Sequence, residues 1–291
     1  MLTHSLVRST MSQVRVERAP HDEPSRGRIA VIAQFSAQNR VSRSLNTMIS
    51  ELLGMGYRVV VSSSSQSPAE LVFHESVHDN VTVLRRPNVG YDFGSWSCAL
   101  AWDADISHAE DVVLLNDSLL GPFCSLDKVL TGFHASTADV YGLTDTTQFG
   151  YHLQSYFLGF RNGVLDEQPV RRFWRGIRDE SDKQKVIHRN EIGFSRMLRS
   201  EGFVCEAAFP YWQSVNPGEN PTILGWEKLL ELGFPFVKRE IVRTPEVAPQ
   251  GDPAPGDLRG KLGVVIEERS GVRAGHLRPL GGRCARSGTG S

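Results

Sequence analysis

Hydrophobic positions change their period repeatedly along the first half of the chain. "RIAVIAQF" (residues 28–35) is a short, nearly continuous apolar run, as expected of a parallel strand buried on both faces. "VSRSLNTMISELLGMG" then spaces Leu45, Met48, Ile49, Leu52 and Leu53 as one face of a helix. Ser42 or Ser44 can cap its start, and Gly54 or Gly56 its end. "YRVVVSSS", "VTVLRR", "DVVLLND" and "ADVYGLT" read as further strands, with "SWSCALAWDA" and "LDKVLTGFHAS" as helices between them. This alternation predicts an α/β fold with a mainly parallel sheet flanked by helices. Ligands of such open sheets bind beyond the carboxyl ends of the strands. Two unusual segments fall there: "NVGYDFGSW" after "VTVLRR", and "NDSLLGPF" after "DVVLL".

The pattern fades at both ends. Residues 1–28 carry no apolar run of the kind a secretory signal needs, and they read as a flexible N-terminal segment. Residues 246–291 are rich in Gly, Pro and Arg, with only "KLGVVIEE" suited to a strand, so a disordered tail is expected. Residues 29–245 remain as one α/β domain. No run of 18 apolar residues predicts a membrane-crossing helix, which leaves peripheral membrane association open.

Charge and cysteines narrow the function. A net charge of -1 over 291 residues offers no basic surface for nucleic acid. Cys98, Cys124, Cys205 and Cys284 are scattered and form no C-x-x-C pair, so neither a zinc cage nor a disulfide framework is expected, and a cytoplasmic location is. The P-loop, dinucleotide-fold, α/β-hydrolase and zincin motifs are missing.

Four groups of residues could carry chemistry. In "NVGYDFGSW", Gly90 and Gly94 mark a tight turn or a close backbone approach, and a ligand is one thing that could approach, though not the only one. Asp92 could cap the following helix or bind ligand hydroxyls, and Tyr91 could stack on a base or sugar, although aromatics are more often core. Asn116, Asp117 and Ser118 end a strand, where Asp117 could bind a divalent ion on a diphosphate; an Asx-type turn explains the same triplet equally well. In "YHLQSYFLGF", strand alternation puts His152, Gln154 and Tyr156 on one polar face, either lining a cleft or simply solvated. Asn190 and Glu191 open an expected helix, where the dipole favours the Glu191 carboxylate and a general base is one role for it.

Taken in order, "NVGYDFGSW", "LLNDSLLGPF", "YHLQSYFLGFRNGVL", "NEIGFSRMLRSEGF" and "GFPFVKRE" resemble the rhamnan synthesis protein F family over roughly residues 29–245. The opening "AQFSAQNRVSRS" departs from the acidic, glycine-containing loop usual there. The resemblance implies a single GT-A-like domain and an inverting hexosyltransferase of surface-polysaccharide or lipopolysaccharide synthesis. It implies a donor site over Asn88, Gly90, Tyr91, Asp92, Gly94, Asn116, Asp117 and Ser118, a divalent Mg or Mn ion on Asp117, and Glu191 as base. His152 and Gln154 are expected to contact the acceptor or sugar. The implied partners are dTDP-rhamnose and a glycan or lipid-linked acceptor at the cytoplasmic face of the membrane. A cationic side chain such as Arg86 could instead compensate the leaving diphosphate. The incomplete acidic triplet keeps open a non-catalytic carbohydrate-binding or assembly subunit.

Overall fold

Strands buried on both faces dominate the computed structural model, which describes residues 5–20, 27–180 and 182–243. The expected C-terminal tail lies outside the described residues. The strands are β1 (Arg15–Arg18), β2 (Arg28–Gln34), β3 (Arg58–Ser63), β4 (Val81–Arg85), β5 (Asp111–Asn116), β6 (Leu119–Leu120), β7 (Val140–Thr146), β8 (His152–Leu153), β9 (Phe157–Arg161), β10 (Cys205–Phe209) and β11 (Val237–Lys238). The main sheet runs β1-β4-β3-β2-β5-β9-β7-β10, with β8 paired to β7 and a separate β6–β11 ladder. Strands β4, β3, β2 and β5 are mutually parallel, as are β7 and β10, whereas β1 and β9 run antiparallel to their neighbours.

The period-two alternation of each strand feeds two cores. On one face Ala30 and Ile32 of β2 pack with Leu45, Met48, Ile49 and Leu52 of helix α2 (Arg43–Gly54) and with Phe133. On the other, Ile29, Val31 and Ala33 join a cluster that includes Phe93, Trp96, Trp174 and Phe194. Because both faces are covered, the strands need apolar residues at every position, which is why they read as unbroken runs. Ser42 caps α2, its Oγ accepting the amide of Leu45 at 3.2 Å.

The N-terminal expectation is corrected over residues 5–20. Helix α1 (Leu6–Thr10) buries Leu6 completely, and its amide donates to the Ile177 carbonyl at 2.8 Å. Strand β1 closes the open edge of β4, and Glu17 pairs with Arg85 at 3.1 Å with both side chains almost wholly buried. No apolar period announces this segment, because its anchors are one leucine and one ion pair.

"YHLQSYFLGF" is likewise not one half-exposed strand. It forms β8, a turn and then β9, which is inserted between β5 and β7, so residues 152–160 are all buried. Its polar side chains bond inward to other parts of the chain. Gln154 donates to Asn220 at 3.1 Å and accepts from Thr144 at 2.5 Å.

Candidate functional site

The antiparallel pairs β5–β9 and β9–β7 leave β7 and β10 pointing the same way as β2 through β5, so all these carboxyl ends share one edge of the sheet. The chain moves outward from β2 through β3 to β4, then returns to β5 on the far side of β2. That reversal opens a crevice between the ends of β2 and β5, where ligands of open α/β sheets bind.

Asp117 spans this crevice: its Oδ2 accepts the Phe35 amide, just past β2, at 3.1 Å. Asn116, the last residue of β5, donates Nδ2 to Asp92 at 2.8 Å, and its Oδ1 accepts from the Ser118 amide at 3.1 Å and hydroxyl at 2.6 Å. The Asx turn expected as the alternative reading is therefore present at Asn116. Behind it, Arg239 donates to the Asp117 carbonyl at 2.8 Å and to Ser42 Oγ at 2.6 Å, which fixes the turn against α2.

Asp92 lies in the first turn of helix α3 (Tyr91–Trp102). Burial pushes its carboxyl up to about 7, and the charges of Asp117 and then Glu191 push the same way, while the Asn116 hydrogen bond and Arg86 oppose them. Asp117 and Glu191, from two other parts of the chain, thus both act on Asp92.

Glu191 does not open a helix. After α4 (Asp105–His108), α5 (Asp127–Ala135) and α6 (Gln168–Arg175), the chain runs through α7 (Lys183–Val186), a π-turn (Ile187–Ile192) and α8 (Gly193–Ser200). Glu191 sits in the wide π-turn, so the first-turn dipole argument fails. Turns of this kind recur at functional sites. His152 Nε2 lies 3.8 Å from the Glu191 carboxylate, and its Nδ1 is 2.9 Å from the Gly150 carbonyl, which orients the ring. Asn190 is buried, and its Oδ1 has no hydrogen-bond partner among the described residues.

Other expected site residues have different surroundings. Gly90 has φ 73°, and a Cβ there would collide with Leu6 Cδ1. Gly94 lies inside α3, where a Cβ would come within 2.5 Å of the Val89 carbonyl. What these glycines make room for is the chain itself. Arg86 is buried and commits four of its five N–H donors, to Ser95 Oγ (2.9 Å) and the carbonyls of Pro87 (2.8 Å), Val89 (2.6 Å) and Tyr91 (2.8 Å). These bonds clamp the loop. Asn88 is exposed at the loop's tip. Tyr91 is half-exposed with φ 51°, a backbone conformation rare for a bulky residue and often found where function holds strain. Gln154 uses its amide internally, on Thr144 and Asn220.

Protein donors alone do not fit a metal cage. Among the described residues no three His, Cys, Asp or Glu side chains come together to hold an ion. Asp117 already accepts from Phe35, and Asn116 from Ser118.

Sequence reasoning assigned no role to Phe35, Lys238 or Arg239. Its one available signal was "GFPFVKRE", where two cations follow an apolar run.

Residues 58–251 match the profile of rhamnan synthesis protein F. The chain belongs to the rhamnan synthesis protein F family. The match takes in Asp92, Asn116, Asp117, His152, Glu191 and Lys238, whereas Phe35 and Ser42 lie ahead of it. The virulence protein VirA of Vibrio anguillarum is 29% identical over 194 residues, covering 55% of this chain and 62% of VirA. The uncharacterized protein y4gN of Sinorhizobium fredii is 29% identical over 126 residues, covering 42% of this chain and 33% of y4gN. The chain therefore spans less than two thirds of the length of these relatives. A mannosyltransferase of Pyrobaculum calidifontis, PcManGT, solved with GDP-Man and Mn2+, aligns over 55% of this chain and 51% of its own at 16% identity and a TM-score of 0.30. So distant a likeness says nothing about the site.

Proposed function

We propose that this member of the rhamnan synthesis protein F family transfers a sugar from a nucleotide-sugar donor, with dTDP-rhamnose the leading candidate, to a hydroxyl of a glycan or lipid-linked acceptor. The observation that carries the reading is the hydrogen bond of Asn116 to Asp92, next to an Asp117 that bonds across to Phe35, at the edge where the strand order reverses. Family membership supports the assignment to surface-polysaccharide synthesis. In this reading the GT-A-type donor lies along the β2–β5 crevice, with Tyr91 stacking on its base or sugar.

Glu191 takes the proton from the acceptor hydroxyl, helped by the His152 ring beside it. The acceptor oxygen attacks the anomeric carbon as the bond to the diphosphate oxygen breaks, so the configuration inverts. The nucleoside diphosphate departs with the electron pair, and its charge must be compensated. A divalent cation bound mainly by the diphosphate would supply such compensation. The residues present offer it little, so no step of the proposed transfer runs through it. No helix among the described residues is long and apolar enough to cross a membrane, which is compatible with work at the cytoplasmic membrane face.

A panel of nucleotide sugars tests the donor through thermal stabilisation, since a bound ligand raises the melting temperature by mass action. dTDP-rhamnose should stabilise most. No response to any nucleotide sugar would count against the reading. The second reading, a non-catalytic carbohydrate-binding or assembly subunit, draws on Asn116 and Asn190, two amides where an acidic site would carry charge. It predicts donor binding without turnover.

A further inference from the structure

The exposed large apolar side chains of the described residues include four aromatics, Phe35, Tyr91, Phe149 and Trp212. Each follows the carboxyl end of a parallel strand, β2, β4, β7 and β10 in turn, so all four stand at the edge that holds the crevice. One exposed ring is ordinary and needs no explanation. The backbone beneath two of these rings does. Tyr91 has φ 51° and Phe149 φ 60°, whereas the other non-glycine residues at positive φ are Asn39 and Asn162, a type that adopts it readily. Bulky residues persist there only where their surroundings impose it, and such positions collect at ligand clamps.

The loop that carries Phe149 is held firmly. Thr146 Oγ1 donates to the Glu219 carbonyl at 2.9 Å, Thr147 Oγ1 accepts the Gly218 amide at 2.7 Å, and the Gly150 amide donates to the Thr147 carbonyl at 3.1 Å. The same loop lies against the π-turn that bears Glu191. The Phe149 ring meets the His188 ring of that turn with centroids 5.6 Å apart and planes at 58°. The next residue, Gly150, accepts at its carbonyl from His152 Nδ1, and His152 Nε2 faces Glu191 at 3.8 Å. Phe149 is thus tied to the turn of the proposed base through its ring and through its chain. Yet it is 60% exposed. A ring left in water forgoes the gain of burial, and here the backbone is strained as well, so stability does not account for its position.

We propose that Phe149 is the acceptor platform of this site: its exposed ring stacks on the apolar C–H face of a pyranose at the end of the acceptor glycan and holds one of that sugar's hydroxyls against Glu191. The inference rests on the transfer reading above. The negative face of an aromatic ring suits the weakly positive C–H bonds of a sugar face, and the sugar's hydroxyls stay free at its rim for hydrogen bonding. A rigid ring beside the base turns a chance encounter into a fixed orientation. Tyr91, strained in the same way beside Asp92, serves the donor in that reading, so each substrate meets one such ring.

The test is saturation-transfer NMR of the full chain with the methyl pyranosides of rhamnose, glucose, galactose and N-acetylglucosamine at stepped concentrations. The parent, Phe149→Ala, Phe149→Tyr and Val204→Ala are compared, Val204 being exposed at the amino end of β10, the opposite edge. The parent should bind at least one glycoside. Phe149→Ala should bind it about three- to tenfold more weakly, Phe149→Tyr within about twofold, and Val204→Ala like the parent. Phe149→Ala should melt close to the parent and bind nucleotide sugars equally well. Binding of none of the four glycosides by the parent, or equal binding by Phe149→Ala, overturns the proposal. So does sedimentation with phosphatidylethanolamine–phosphatidylglycerol vesicles that Phe149→Ala abolishes, which would make the ring a lipid contact. If a glycoside binds through Phe149 but no nucleotide sugar binds the parent, the platform stands and the transfer reading falls. If the parent transfers sugar and Phe149→Ala does so with an unchanged KM for acceptor, the transfer reading stands and the platform falls.

Discussion

Asn116 donates its side-chain amide to the carboxylate of Asp92 at 2.8 Å, joining the end of β5 to the first turn of α3. This bond favours the ionised carboxylate, yet burial and the neighbouring Asp117 outweigh it and hold Asp92 up at about 7.

A pH dependence follows from that balance. The folded protein keeps a proton on Asp92 where the unfolded chain, with an ordinary carboxyl near 3.8, has lost it. The stabilising effect of the neutral form is therefore complete below about pH 4 and is lost as pH rises through about 7. Asp92→Asn stays neutral and still accepts from Asn116. Its stability advantage over the parent should widen between about pH 4 and 7, by at most about 1.4 kcal/mol per pH unit, and then level off. Asp117→Asn should shift the parent's titration downward. Urea melts at stepped pH check both, and a gap that does not vary with pH contradicts the assignment.

Glu17 and Arg85 make residues 5–20 part of the folded unit. Glu17 also accepts the Leu71 amide at 2.8 Å, and Arg85 donates to Asn39 at 3.1 Å and to the Ser65 carbonyl at 2.9 Å. Glu17→Ala leaves a buried guanidinium without its counter-charge, so a loss of roughly 3–5 kcal/mol is expected in equilibrium unfolding. A flexible N-terminal segment would show almost no loss.

Gly90 and Leu6 should be coupled. Gly90→Ala forces a side chain into a left-handed backbone and against Leu6, costing roughly 1–3 kcal/mol. Leu6→Ala alone should cost roughly 2–5 kcal/mol, because the leucine is wholly buried. The double variant should lose less than the sum, since the smaller residue 6 leaves space for the new methyl. Donor affinity should fall less than stability does. The opposite order would place a nucleotide against the glycine.

The parallel half of the fold was legible because strands such as β2, covered on both faces, must be apolar throughout, and the helices between them keep one apolar stripe. The positions of Asn116 and Asp117 at the end of a strand, and of Asp92 at the start of the helix after one, followed from the same reasoning. Long-range meetings stayed hidden. Leu6 reaching Gly90, β9 entering between β5 and β7, and Lys238 opposite Leu119 join distant segments, and no local period records them. Glu191 was visible as a residue but not in its setting, because a six-residue π-turn is too short for its altered period to be read from the apolar pattern. The glycines misled for a physical reason: a close approach is written in the sequence, but the approaching group is not.

The most direct measurement is turnover of dTDP-rhamnose by the parent and by Glu191→Gln on a surface-glycan acceptor preparation, with donor affinity measured alongside. If Glu191 is the general base, Glu191→Gln should lose about 100-fold or more in turnover while donor affinity stays within a few-fold. Tight donor binding by the parent with no transfer to any acceptor, or undiminished turnover by Glu191→Gln, would contradict the account.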